Sequence, residues 1–402
     1  MIFFDVFSII NLFTNQIVTY DTLHFPGEIH FQNVRQLTFG GANAEGYFSF
    51  DNKKLTYQAT LPGSTNCDQI YQLDLTKDPK AQTPKRMSTG LGATTCSFFM
   101  GDNEHFLYAG TFHHVNITAN KPGDSFDTCN PKKCMNKKIR DPVLAELCKS
   151  EYTWDIFSQY DIFLADKYGN IKSRLTDSPG YDAEGVVSPD GKLIAYTSME
   201  SGDLELWIMN VDGSNKRQLT NTLGYDGGSF FSPDGKKLVY RASRPKTPKQ
   251  IETYKALLSY GLVAPTEMEI FTINIDGTGM KQITNYGGAS WAPYYLSDNK
   301  RIIFSSNVNS TVGFGAFDLY VINDDGTGVE RVTYQDKGFN AFPMMSYDGK
   351  QLVWGSSRNG VEKYDLNLFI ADWVDPSSDD SISFISIFIC IIILSIFIYV
   401  FH

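Results

Sequence analysis

The chain has 402 residues, a formal net charge of −10 and a sequence pI near 5.1. That acidic balance argues against nucleic acid as a partner, since phosphate recognition needs a basic face. Hydrophobic residues make up 42%, and 29 Phe with 22 Tyr supply a sizeable core biased towards strands rather than helices.

Taken from the N-terminus, residues 2–13 (IFFDVFSIINLF) resemble the apolar region of a signal peptide, interrupted by Asp5 and preceded by no Lys or Arg. A leader over residues 1–27 and the absence of one both remain open. Residues Asn33–Thr38 then form a strand that precedes any partner.

A unit recurs from there on. SFDNKKLTY at 49–57, MGDNEHFLY at 100–108, SPDGKLIAY at 188–196, SPDGKKLVY at 232–240, LSDNKRIIF at 296–304 and SYDGKQLVW at 346–354 share one turn. A second turn of the Asp-Gly-Ser/Thr kind follows in several copies, as in INIDGTG and INDDGTG. Asp-Gly supplies the positive φ that a tight hairpin needs, and the flanking runs read as short strands. Each unit is thus four antiparallel strands, A to D, a propeller blade. The fourth strand ends in a Leu-Thr-like pair six times: Leu37-Thr38, Met87-Ser88, Leu175-Thr176, Leu219-Thr220, Ile283-Thr284 and Val332-Thr333. The first of these precedes every A strand and the last unit stops after strand C. The expected fold is therefore all-β, a six-bladed β-propeller over 28–374 closed by an N-terminal strand, which leaves no blade with a missing edge.

Long insertions fall in the B–C loops, over 112–158 in blade 2, 244–267 in blade 4 and 306–316 in blade 5. They share one face, the usual place for binding on a rigid scaffold. Segment 249–261 has helical spacing at Ile251, Tyr254, Leu257 and Leu258. His113 and His114 open the first insertion and could serve a transition metal, with no third ligand fixed by spacing. Cys129, Cys134 and Cys148 lie in the same insertion, where a structural disulfide or zinc could use them. A further disulfide is expected between Cys67 and Cys96, both at the insertion-bearing end of neighbouring blades. N-glycosylation sequons occur at Asn116 and Asn309.

After a linker at 375–381, residues 382–401 form an uncharged apolar run long enough to span a bilayer as a helix. A transmembrane tail anchor and a cleaved glycolipid-anchor signal both fit. The localisation implied is a membrane, with a lumenal or extracellular propeller or a cytosolic tail-anchored one.

The Ser-Pro-Asp-Gly-Lys turn and the Asp-Gly-Ser/Thr turn resemble those of TolB-like and WD-like propeller repeats, over about residues 30–374. The phrase RASRPKTP, Arg241 to Pro248, is similar to one in bacterial bare propellers of the TolB family. Related propellers precede the hydrolase domain of prolyl peptidases, but no Gly-x-Ser-x-Gly elbow with a partner domain is found here. The resemblance implies a fold and leaves function open.

Each D–A link carries a glycine, and two residues on comes a short polar side chain: Asn43, Thr94, Asp182, Asp226, Ser290 and Asn340. Glu45 and Glu184 stand two residues further in. These eight are the candidate ligand-binding residues of the channel mouth. Their carboxylates should repel unless a cationic group compensates, and such a ring suits Ca²⁺ or ordered water; turn residues bonded to their own backbone are the plainer alternative. No catalytic residue stands out. Two functions remain open. One is a membrane-tethered scaffold binding a protein, peptide or glycan on the insertion face. The other is a channel-mouth enzyme, a metal-assisted hydrolase or lyase using Asp182, Glu184, Asp226 and Glu45.

Overall fold

The computed structural model describes residues 23–61, 67–114, 133–135, 139–150, 152–310, 315–362 and 365–376. Six four-stranded antiparallel sheets follow in order. Blade 1 runs Ala42–Phe48, Lys54–Thr60, Gln69–Asp74 and Lys85–Arg86; blade 3 runs Asp182–Val187, Leu193–Ser198, Glu205–Asn210 and Arg217–Gln218. Blade 6 takes its strands A to C from Asn340–Met345, Gln351–Ser356 and Asn367–Trp373, and its fourth from Phe31–Gln36 at the other end of the chain. That strand pairs Phe31 with Trp373 and Gln36 with Phe369. Phe31 stacks on Trp354 at 4.6 Å between ring centroids, and a fully buried Arg358–Glu28 ion pair (2.9 Å) ties the same junction.

The repeated dipeptides have a physical role. In every blade the Thr or Ser of the Leu-Thr pair accepts a hydrogen bond from a strand C backbone N–H. The six are Leu368 to Thr38, Ile70 to Ser88, Ile162 to Thr176, Leu206 to Thr220, Ile270 to Thr284 and Leu319 to Thr333, all at 2.8–3.0 Å. The residue before it is buried each time. Strand D can therefore be as short as two residues and still be held. In the A–B turns, Ser188, Ser232 and Ser346 donate to the Asp two residues on at 2.6–2.7 Å. The following Gly191, Gly235 and Gly349 sit near φ +70°.

Among the described residues two helices lie in the insertions, α1 (Pro142–Ser150) in blade 2 and α2 (Pro248–Ser259) in blade 4. The expected helix over 249–261 is thus present. It starts at a capping box of Thr247 and Gln250 with Pro248 at its first turn. The insertions also pair with each other: Trp154–Asp155 lies antiparallel to Leu262–Val263. With Cys134–Cys148, a disulfide, they form one cap over the insertion face.

The pairing of Cys67 with Cys96 is corrected here. Cys96 is a free thiol. Cys67 is disulfide-bonded, to a partner outside the described residues. The backbone explains it: Cys96 adopts φ +49° and faces the channel, whereas Cys67 packs under the cap near Ile156, Tyr160 and Tyr181. Asn309 lies exposed in the blade 5 B–C loop. Asn116, Cys129, the 382–401 run and most of the 1–27 leader fall outside the described residues. Among the described residues no helix is long and apolar enough to cross a membrane.

Candidate functional site

The six strands A surround the axis, and each carries a bulge where its register with strand B slips. At that bulge Glu45, Cys96, Glu184, Gly228, Ala292 and Phe342 all take φ between +46° and +59°. A bulge re-aims a side chain, and these six residues line the channel. One pleat further on, Tyr47, Phe98, Phe230 and Tyr294 close it: Tyr47 meets Phe230 from the opposite blade at 5.3 Å, and Tyr294 meets Phe230 at 5.2 Å. The channel is thus a blind cup above an aromatic plug. Its free space is about 20 Å³, room for one water.

One wall of the cup is charged. Arg241, from strand B of blade 4, pairs with Glu184 and bonds the Tyr225 hydroxyl at 2.8 Å. Glu184 Oε2 also accepts from Tyr225 (2.6 Å), Thr197 (2.7 Å) and the Gly228 N–H (2.9 Å). Gly228 makes this possible, since a Cβ there would stand 2.2 Å from Arg241 Nη1. Glu45 has no such partner for Oε2. Burial pushes its carboxyl up to about 7, only partly offset by the Cys96 thiol and Arg241. Burial beside Glu45 and Glu184 likewise holds the Cys96 thiol well above its ordinary value.

The other six candidates lie one step outward, all at most 1% exposed. Each donates its backbone N–H to the preceding blade, to Leu366, Asp68, Tyr160, Leu204, Met268 or Phe317 carbonyls at 2.8–3.2 Å. Their side chains bond inside the fold. Asn43 reaches Gly40 and Leu366, Thr94 reaches Asp68 and Ser290 meets Ser306. Asn340 accepts from Ser356 at 2.7 Å. Asp182 accepts from Ser178 at 2.5 Å, and burial raises it to about 6. Asp226, also raised to about 6 by burial, meets Arg244 at 2.5 Å. The cationic compensation expected from a ligand thus comes from the chain itself. Both arginines belong to the phrase RASRPKTP, whose Thr247 and Pro248 then start α2. The described channel residues do not gather three ligands around one ion; among the described residues only His113, His114 and Asp161 do so.

The cap covers the cup. Trp154 stands over the Arg241 guanidinium at 5.0 Å and packs on Trp291 at 5.0 Å. Ile156 N–H bonds Gly261 O at 2.8 Å and Tyr260 bonds Asp141 at 2.9 Å, while Tyr254 fixes α2 to Asp203 of blade 3. Outside, between α2 and the strand B exit of blade 4, lies a groove of about 300 Å³ lined by Arg244, Lys249, Thr253, Tyr254, Thr266 and Glu267. Sequence reasoning reached Glu45 and Glu184 but not Arg241, Tyr225, Cys96 or Trp154 as their neighbours. The RASRPKTP phrase was the available signal for the arginine.

Fold and site together define a six-bladed TolB-like propeller with a capped polar cup. No family model matches the chain. A TolB described from Agrobacterium tumefaciens has a similar structure, with a TM-score of 0.52 and 16% identity over 85% of this chain and 97% of that one. The TolB of Acinetobacter baumannii gives 0.42 and 16%, over 86% and 68%. At such identity the likeness is one of fold. In sequence, dipeptidyl-peptidase 5 of Porphyromonas endodontalis is 35% identical over 86 residues, 21% of this chain and 12% of that protein. Its counterpart in Porphyromonas gingivalis is 51% identical over 39 residues, 10% and 6%. The match spans a small part of these relatives.

Proposed function

We propose that this chain is a binding scaffold that takes a protein or peptide in the groove beside α2. The observation that carries it is the cap. Two insertions from different blades pair as strands, hold each other by side-chain bonds and carry a disulfide, so the groove is part of a rigid surface. Membrane tethering through 382–401 completes the proposal. The described chain ends on the tight-turn face, where Arg301 grips Asp375 at 2.7–2.8 Å. A tether leaving there would point the groove away from the bilayer. Disulfides fit a lumenal or extracellular site.

Screening the full chain against a displayed peptide library tests the reading. Selected peptides should lose at least about tenfold in affinity on Thr253→Trp, which fills the groove, and keep it on Lys192→Glu on the opposite face. Peptides indifferent to Thr253→Trp would overturn it. The enzyme reading draws on one observation, a Glu45 carboxyl near 7 in an enclosed cup. The cup's free space, about 20 Å³, holds little more than one water, whereas the groove offers about 300 Å³, so binding is the stronger reading.

A further inference from the structure

The neck of the blade 2 insertion joins three side chains that neither the cup nor the groove uses. His113 and His114 follow two residues after the end of strand B (His105–Gly110), and Asp161 opens strand C opposite Gly110. The two imidazoles lie 4.1 Å apart by centroid. One ligand atom from each of the three residues falls within 4.8 Å of the others. Asp161 is buried, its side chain 4% exposed, and His113 is 18% exposed. His113 Nε2 meets Asp161 Oδ2 at 2.8 Å, while Nδ1 of the same ring is shut off from solvent with no hydrogen-bond partner.

A shielded, unmatched ring nitrogen is uncommon in a folded protein, and a bound ion is one of its regular explanations. The surroundings are those of a prepared ligand set. Arg174 at 2.8 Å and Thr176 at 3.3 Å orient the Asp161 carboxylate, and Phe163, 5.1 Å away by centroid, fixes the His113 ring.

We propose that His113, His114 and Asp161 bind a divalent transition metal of the Zn²⁺ class at the neck of this insertion. Two imidazoles and one carboxylate suit Zn²⁺ and not the all-oxygen preference of Ca²⁺. Three protein ligands leave a fourth position for water or another donor. The bound ion joins the first residues of the insertion to the strand that ends it, closing its base as the disulfide closes α1.

The test uses the full chain, stripped with EDTA, kept oxidised and titrated calorimetrically with Zn²⁺ at pH 7.5. One equivalent should bind saturably. His114→Ala, at an exposed position, should weaken that binding at least about tenfold, and His113→Gln with His114→Ala should abolish it, with the circular dichroism spectrum unchanged. His105→Ala, on the tight-turn face, should leave it intact. X-ray absorption of the zinc form should show two nitrogen ligands at about 2.0–2.1 Å. No saturable uptake, or uptake indifferent to His114→Ala, overturns the site. If the double variant loses its fold, the result for His114→Ala alone decides.

Discussion

The two halves of the cup share a backbone and differ in chemistry. Blades 1 to 3 present Glu45, Cys96 and Glu184 at the bulge, while blades 4 to 6 present Gly228, Ala292 and Phe342 in the same left-handed conformation. Two residues earlier in each strand A, all six blades carry the same kind of short polar residue with the same bond to the preceding blade. Repetition therefore belongs to the scaffold and asymmetry to the site. The charged half is held by one borrowed side chain, Arg241, which reaches in from strand B through the space that Gly228 leaves open.

The sharpest way to break this contrast is Arg241→Leu. It leaves Glu184 buried against Tyr225 without a counter-charge and should lower unfolding stability by about 3–5 kcal/mol in urea. Adding Glu184→Leu should recover most of the loss; a double variant as unstable as the single would show that the two act apart. Next comes Gly228→Ala, expected to cost about 2–3 kcal/mol because its Cβ meets the guanidinium. In the neighbouring blade Ala292→Gly, at φ +46°, should be neutral or stabilising by up to about 1 kcal/mol. A Gly228→Ala variant as stable as the parent would show that the guanidinium does not need that space.

Glu45 gives the pH test. Its carboxyl is raised in the folded state from 4.5 to about 7, so between those values the folded chain holds a proton that the unfolded chain has lost. Stability should fall as pH rises through that window, by on the order of 2–3 kcal/mol, and Glu45→Gln should flatten the slope and stabilise the protein at pH 8. Thermal melts between pH 4.5 and 8 read it. The smallest effect is expected from Asp182→Asn, under about 1 kcal/mol, because burial already favours a neutral group there and an amide can still meet Ser178. A loss above about 2 kcal/mol would mean that its charge is used.

The scaffold was legible because its devices are local. Asp-Gly turns, Leu-Thr strand ends and the 249–261 helix each fit within a few residues, and the orphan Asn33–Thr38 strand disclosed the ring closure. The cup was half legible. Counting placed Glu45 and Glu184 near the axis, but nothing in Glu, Cys, Ala or Phe announces a left-handed bulge, and that bulge decides which side chain looks inward. Cys96 was misread for the same reason. The strands Trp154–Asp155 and Leu262–Val263 are two residues each and far apart in sequence, too short for any pattern. His113 and His114 were visible, but Asp161 joins them only through the pairing of strands B and C.

Closure by opposite ends of the chain also sets a clock. Phe31 waits for Trp373, and at about 5–20 residues per second the ribosome needs on the order of tens of seconds to deliver it. During that interval five blades can form while the sixth has no partner for its own first-made strand. A nascent chain in that state keeps its Phe31–Gln36 strand unpaired and leaves the outer faces of its first and last blades uncovered. Both invite wrong partners until the strand Asn367–Trp373 emerges. A stalled or truncated chain ending before Asn367 has no way to finish the circle.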